Sequence, residues 1–405
     1  MKKVFEIALG IVTSIGGFLE IGSITTAAQG GALFGFQLTW AILLGGLCVI
    51  FLVEQSGRFA ATSRHTIPDA IRERFGFNYY IVLVVVLAIV ILLVLGAEIG
   101  GVCIALEFAT GIHYQWWAVP VGLLLWLIIW KGTFSIIEQG VSALGLVTLC
   151  FIVGAWVLHP DWHAVAHGAL PSLPTHARTR YWFIAVSILG ASITPYLMFF
   201  YSSGAIEDKW DESYLNANRA ISAGGMSFGT LISVAVLIVA GVSFLPRGMK
   251  VEQYSELALL LTDAFGRWGM RLVAASLFIA CLGAALEITL EIAYMLAQGF
   301  GWNWSKNQRP KDEARFSLTY TIVVIVGALL VVVGIDPLQL TVFSMALTAA
   351  TLPVAIVPFL FLMNDRAYVG EHGNSWFSNT VVILIIGLAF VLAVVTIPLQ
   401  IFGGS

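Results

Sequence analysis

Apolar stretches long enough to cross a bilayer begin near Ile7, Gln37, Tyr80, Trp116, Val141, Tyr181, Ile221, Met270, Phe316, Leu340 and Ser378, with short polar segments between them. A crossing helix takes about 20 predominantly apolar residues, so the pattern predicts about eleven transmembrane helices and leaves little chain for a domain outside the membrane. The piece from Val251 to Phe265 is amphipathic and is expected to form an interfacial or loop helix. The chain therefore reads as an all-α polytopic membrane protein with a single transmembrane domain over residues 1–405.

Composition agrees with the pattern. Of 405 residues 59% are hydrophobic and 11% charged, whereas a soluble domain carries about 25% charged residues. The formal charge of −3, from 20 basic and 23 acidic residues, gives no reason to expect a nucleic-acid partner. Cys48, Cys103, Cys150 and Cys281 lie scattered in apolar segments without a CxxC pair and read as packing residues. Met1, Lys2 and Lys3 precede an apolar stretch with no small-residue cleavage site, which predicts a retained first helix. All of the 20 basic residues except Arg178, Arg180, Arg247, Lys250, Arg267 and Arg271 fall on one side of the predicted topology. Positive charge favours the cytoplasmic side, so the N-terminus is expected inside and the C-terminus outside.

Two of the predicted spans are interrupted. The first contains Gly16, Gly17, Phe18, Leu19, Glu20, Ile21, Gly22 and Ser23, a carboxylate beside glycines in an apolar run. An unpaired carboxylate in hydrocarbon costs several kcal/mol and each glycine weakens a helix by about 1 kcal/mol, so the coincidence predicts an unwound segment lining a cavity. The sixth contains Gly190, Ala191, Ser192, Ile193, Thr194, Pro195 and Tyr196, where the proline removes a backbone hydrogen bond and frees a carbonyl. Breaks in the first and sixth helices are the pattern of a 5+5 inverted repeat, here about 7–158 and 181–363 with an extra helix at about 378–402, and a midplane site where the breaks meet.

Other groups are candidates for chemistry or for structure. Glu287 and Glu291 share one face of the eighth span, and intramembrane carboxylates are functional by default. Glu54 and Arg58 have the spacing of an intrahelical ion pair. His159, Asp161, His163, His167 and His176 lie in one predicted outer loop, but Pro160 and Pro171 favour a solvated irregular loop over a metal site. Asp336 and Pro337 predict a tight turn opening a helix, and Asn364, Asp365 and Arg366 a helix end. No Walker motif, dinucleotide fingerprint, nucleophile elbow or HExxH run is present, which argues against an ATP-driven pump or an enzyme.

At the two breaks the chain resembles the Nramp family of divalent-metal transporters, as a divergent bacterial-type branch. LEIGSITTAAQGGALFG, from Leu19 to Gly35, is similar to the family's Asp-Pro-Gly-Asn motif and the Gln-x-Gly-Ala-x-Phe-Gly tail after it, matched here by Gln29, Gly31, Ala32, Phe34 and Gly35. Ser56, Arg58, Arg72, Glu73, Arg74, Ala97, Glu98 and Gly101 are further matches, and GASITPYLMFFYSS resembles the family's Met-Pro-His segment. The resemblance implies a LeuT-like inverted-repeat fold working by alternating access in a bacterial inner membrane. It also implies a metal site in which Glu20 stands for the metal-binding Asp, Ser23 for the Asn and Thr194 for the Met, with carbonyls around Ile21, Ala191 and Ile193 completing the shell. Tyr196 and Tyr201 stand where the family has histidines, Leu95 where it has a helix-three Asp, and Glu98 matches a family Glu on the proton route. By the same resemblance Glu287 flanks the substrate path, with Glu291 on the same face of that helix.

These replacements change the expected chemistry. A thioether favours transition metals, whereas Glu, Ser and Thr oxygens are hard and suit Mn²⁺, Mg²⁺ or Ca²⁺. The expected function is secondary transport of a divalent cation, with no bound cofactor, the lipid bilayer and the cation as partners, protons as a further candidate, a monomeric state, and weak or rerouted proton coupling. The rivals are an organic-amine or amino-acid symporter on the same scaffold, in which Glu20 binds an amine, and a sensor that keeps the fold without transport.

Overall fold

The structure is a computed structural model that describes residues 20–134, 145–174 and 176–403. The expected starts of the first and fifth spans, with Gly16, Gly17, Lys2, Lys3 and Val141, lie outside the described residues. The described chain is helical: α1 Ile21–Phe34, α2 Thr39–Ser63, α3 Ile67–Phe75, α4 Phe77–Thr110, α5 Ala118–Lys131, α6 Leu149–Val157, α7 Trp162–Gly168, α8 Arg178–Ser192, α9 Pro195–Glu207, α10 Leu215–Ser243, α11 Arg267–Phe300, α12 Ala314–Val332, α13 Pro337–Leu362 and α14 Trp376–Gly403.

Among the described residues 8 helices are long and apolar enough to cross a membrane, or up to 9 with the pair α6 and α7, which is bent by 118°. They coincide with the spans expected near Gln37, Tyr80, Tyr181, Ile221, Met270, Phe316, Leu340 and Ser378. The span expected from Trp116 appears as a 3₁₀ turn followed by the 14-residue α5. Val251–Phe265 forms two separate turns, Tyr254–Leu257 and Thr262–Phe265, rather than one helix.

Local sequence sets the ends. Asp336 caps α13, its side chain accepting from the Gln339 N–H at 2.9 Å, and Pro337 follows it at the position where its missing N–H costs nothing. Thr66 caps α3 in the same way through the Asp69 N–H. The expected Glu54–Arg58 pair is present at 3.2 Å, and Arg58 also donates to the His372 carbonyl and to Asn374 Oδ1, tying α2 to the loop after α13.

Two groups of helices meet in the core. α1, α2, α8, α9 and α10 pack on one another, α4 lies along α11 with α12 and α5 outside them, and α13 touches both groups. The apolar middle of the span made of α8 and α9 is wholly buried, whereas 28% of the residues in that of α14 are, so the broken helix runs through the centre and α14 along the rim. Apolar side chains of α4, α5, α12 and α14 face outward, among them Val82, Leu123, Ile325 and Leu384, as a lipid-facing surface requires.

Candidate functional site

The break in the sixth span falls where the proline predicts it. α8 ends at Ser192; Ile193 (φ −104°, ψ 84°) and Thr194 (φ −102°, ψ 122°) are extended; and α9 starts at Pro195. Pro195 has no N–H, so the carbonyl of Ala191, four residues earlier, has no helical donor to meet. Thr194 is buried and makes no side-chain cap to α9, and its hydroxyl lies against Tyr196.

Glu20 occupies the cap position of α1 in an extended conformation (φ −119°, ψ 169°). It is 2% exposed, and its Oε2 accepts from the Tyr196 hydroxyl at 2.6 Å. Its Oε1 is buried with no hydrogen-bond partner among the described residues. This joins the start of α1 to the break between α8 and α9 through one short hydrogen bond and leaves a carboxyl oxygen for a further ligand. The positive end of α1 and the exposed backbone at Ile193 and Thr194 then offer the polar surroundings that a dry span lacks.

Glu98, fully buried on α4, holds the start of α1 in place. Its Oε1 accepts from the Ile21 N–H at 3.0 Å, satisfying an amide that a helix start leaves open. The approach is close because residue 101 is glycine: a Cβ there would stand 2.5 Å from Ile21 Cδ1 and 2.6 Å from Cys281 Sγ. A second close approach occurs at Gly22, where a Cβ would fall 2.5 Å from Met345 Sδ on α13.

The remaining candidates sort by position. Ser23 is buried in the first turn of α1, beside the break. Ile21 is the first helical residue, and Ala191 and Ile193 flank the opening in the sixth span. Glu287 and Glu291 on α11 line a small cavity with Glu20, Tyr196 and Phe200. Tyr201 points elsewhere: its hydroxyl donates to Asn218 Oδ1 at 3.1 Å, and Asn218 in turn donates to the Glu54 carbonyl. Leu95 is buried against Gly327, in apolar packing.

Two neighbours of the site were not singled out in the sequence. The Cys281 thiol lies against Glu98 rather than merely filling space, and the Met345 thioether abuts the start of α1. Both sit among apolar neighbours in their helices, and neither residue type stands out there. Among the described residues no three His, Cys, Asp or Glu side chains converge as a metal cluster. The expected irregular loop is partly helical: His163 and His167 lie in α7, which Asp161 caps through the His163 and Ala164 N–H groups, while His176 stacks on Phe34.

At the C-terminal end of α9, Glu207 gathers Tyr294, Ser305, Asn307 and the Lys306 N–H, while Lys306 Nζ donates to the Gly132 carbonyl. Burial lowers the Lys306 ammonium from its ordinary range, with the Glu207 charge opposing. Burial, and after it the Glu207 charge, pushes the neighbouring Asp208 up to about 6.

Residues 10–398 match the sequence profile of the family described as "Natural resistance-associated macrophage protein-like", Nramp. A relative from Deinococcus radiodurans, "Divalent metal cation transporter MntH", is 26% identical over 380 residues, covering 89% of this chain and 82% of its own. A protein of the same description from Caldanaerobacter subterraneus is 23% identical over 395 residues, 93% and 88% of the two chains. Among solved structures, a mutant manganese transporter from Eremococcus coleocola superposes with a TM-score of 0.80 at 20% identity over 98% of this chain and 87% of that one. MhsT, solved with L-phenylalanine, gives 0.61 at 13% identity, over 98% of each chain. These structural likenesses show the fold, a LeuT-like all-α membrane architecture, and the curated relatives are transporters rather than enzymes. With the match spanning nearly the whole sequence, the chain is an integral membrane protein that belongs to the Nramp family.

Proposed function

We propose that this protein is a secondary transporter of divalent cations that works by alternating access around Glu20. The observation that carries the reading is the free Oε1 of Glu20, buried in the span and facing a break whose Ala191 carbonyl lacks a helical donor. A buried anionic oxygen beside unpaired carbonyls suits a cation and repels an anion. Ser23 and Thr194 add hydroxyl oxygens, and the carbonyls around Ile21, Ala191 and Ile193 complete a hard donor set suited to Mn²⁺, Mg²⁺ or Ca²⁺. Curated relatives named for divalent metal transport support the class of substrate.

The organic-amine reading has less support. The cavity beside Glu20 measures about 10 Å³, room for no more than about one water molecule. Proton coupling is weak or rerouted on this reading, because Leu95 and Tyr196 replace groups that would titrate, and Tyr201 is engaged with Asn218.

The test is uptake by proteoliposomes offered Mn²⁺, Mg²⁺, Ca²⁺ and Cd²⁺ separately, with an internal pH reporter. Glu20→Gln is expected to abolish nearly all flux. A variant that transports as well as the parent refutes the assignment of Glu20 as principal ligand.

A further inference from the structure

On the side of the site away from Gln29 and Val251, α11 carries Glu287 and Glu291 one helical turn apart. Glu291 is 1% exposed, and neither carboxylate oxygen has a hydrogen-bond partner among the described residues. It lines the same cavity of about 10 Å³ as Glu20, Tyr196, Phe200 and Glu287. Leaving an ionised carboxylate unpaired in an apolar interior costs several kcal/mol. The arrangement therefore calls for a positive partner.

Three partners are conceivable, and the surroundings select one. A basic side chain is missing: no Lys, Arg or His of the described residues acts on Glu291. The groups that face it are Tyr80 from α4, Tyr294 from its own helix, and the Glu20, Glu287 and Tyr196 side chains of the shared cavity. A void that admits about one water does not hold a second, hydrated divalent ion at Glu291 beside the one proposed at Glu20. A proton needs no volume.

We propose that Glu291 is a proton-binding site of the transport path, separate from the metal ligand Glu20 and connected to the face bearing Glu207. Tyr294 lies one turn further along α11 and donates to Glu207 Oε1 at 3.0 Å. Tyr80 donates to the Met295 carbonyl and lies within electrostatic reach of Asp69 and Arg72 of α3. Neither hydroxyl bonds to Glu291, but both tyrosines stand within electrostatic reach of it, Tyr294 tied to Glu207 at the end of α9 and Tyr80 near the start of α3, on the side that the basic-residue bias assigns to the cytoplasm. In the uptake step an O–H bond forms on a Glu291 carboxylate oxygen as one breaks on a hydronium ion of that solution. Release is the reverse, and nothing is oxidised or reduced.

The inference deepens the transport reading and rests on it. The experiment reconstitutes the full chain in proteoliposomes and measures Mn²⁺ affinity and Mn²⁺ flux against the pH on the Glu207 side. A one-proton step changes the wild-type rate by up to about tenfold per pH unit. In Glu291→Gln the pH dependence is expected to vanish while the Mn²⁺ dissociation constant stays within about twofold of wild type; Glu291→Asp, which keeps an acid, is expected to retain the dependence. A Glu291→Gln variant with the wild-type pH profile overturns the proposal, as does one whose Mn²⁺ affinity collapses as in Glu20→Gln. Infrared spectra supply a readout that needs no transport: because Glu20 and Glu98 are buried carboxyls too, Glu291→Gln is expected to remove one component of the protonated-carboxyl C=O absorption rather than all of it, and an absorption of unchanged intensity overturns the proposal. A wild-type protein that shows that component yet moves no metal refutes the transport reading and leaves the proton site standing.

Discussion

The bond from the Ile21 N–H to Glu98 predicts that metal affinity depends on a residue with no place in the metal shell. Glu98 accepts the opening amide of α1 at 3.0 Å, and the residue before that amide is Glu20. In Glu98→Gln the side-chain carbonyl still accepts from the Ile21 amide, so the loss is small, about 1 kcal/mol or less. In Glu98→Ala the Ile21 amide is left buried and unpaired, at about 1–3 kcal/mol, and the fully buried Glu98 site becomes a void. If about half of that loss reaches the positioning of Glu20, the dissociation constant for Mn²⁺ rises about threefold or less in the Gln variant and about 2–12-fold in the Ala variant. Equilibrium binding of radioactive Mn²⁺ to purified protein in detergent measures both, with thermal stability recorded in parallel. Equal effects of the two substitutions, or an Ala variant that binds as wild type, would refute the idea that Glu98 holds the start of α1 for the cation.

Other expectations follow from the same geometry. Thr194→Met places a soft sulfur beside Glu20 and is expected to shift the Cd²⁺ to Mn²⁺ flux ratio upward by about tenfold or less; an unchanged ratio removes Thr194 from the shell. Gly22→Val drives a side chain into Met345 Sδ and is expected to cost about 1–3 kcal/mol, read as a lowered thermal midpoint, whereas Gly387→Ala, with nothing within 4 Å, meets no such steric clash. Because the Asp208 carboxyl is raised to about 6, the folded protein holds that proton more tightly than the unfolded chain, so its contribution to stability falls as pH rises from about 4 to 6 and is flat above. Asp208 meets solvent, which screens the effect to under about 1 kcal/mol; Asp208→Asn is expected to remove that part of the pH dependence of the thermal midpoint.

The sequence told most where a residue conflicted with its surroundings. Glu20 in an apolar run and Pro195 in a span are visible costs, and each marks a point where the backbone leaves the helix or its hydrogen bonds change. The apolar runs were legible for the same reason, since only helices satisfy a backbone in lipid. What stayed hidden was pairing across helices. Tyr196 and Glu20 are 2.6 Å apart, and nothing in either segment alone says that they meet. Tyr201, one turn and a residue further along α9, is just as polar, yet it turns to Asn218. Cys281 and Met345 carry no local conflict, being ordinary apolar residues among apolar neighbours, and only the close approaches at Gly101 and Gly22 bring their sulfurs to the site. Glu291 shows the limit from the other side. Its sequence neighbourhood matches that of Glu287, but the structure gives it two oxygens without donors and a void too small for a second, hydrated ion. A buried charge in a sequence announces that a partner is needed. The packing around it determines whether that partner is a side chain, a metal or a proton.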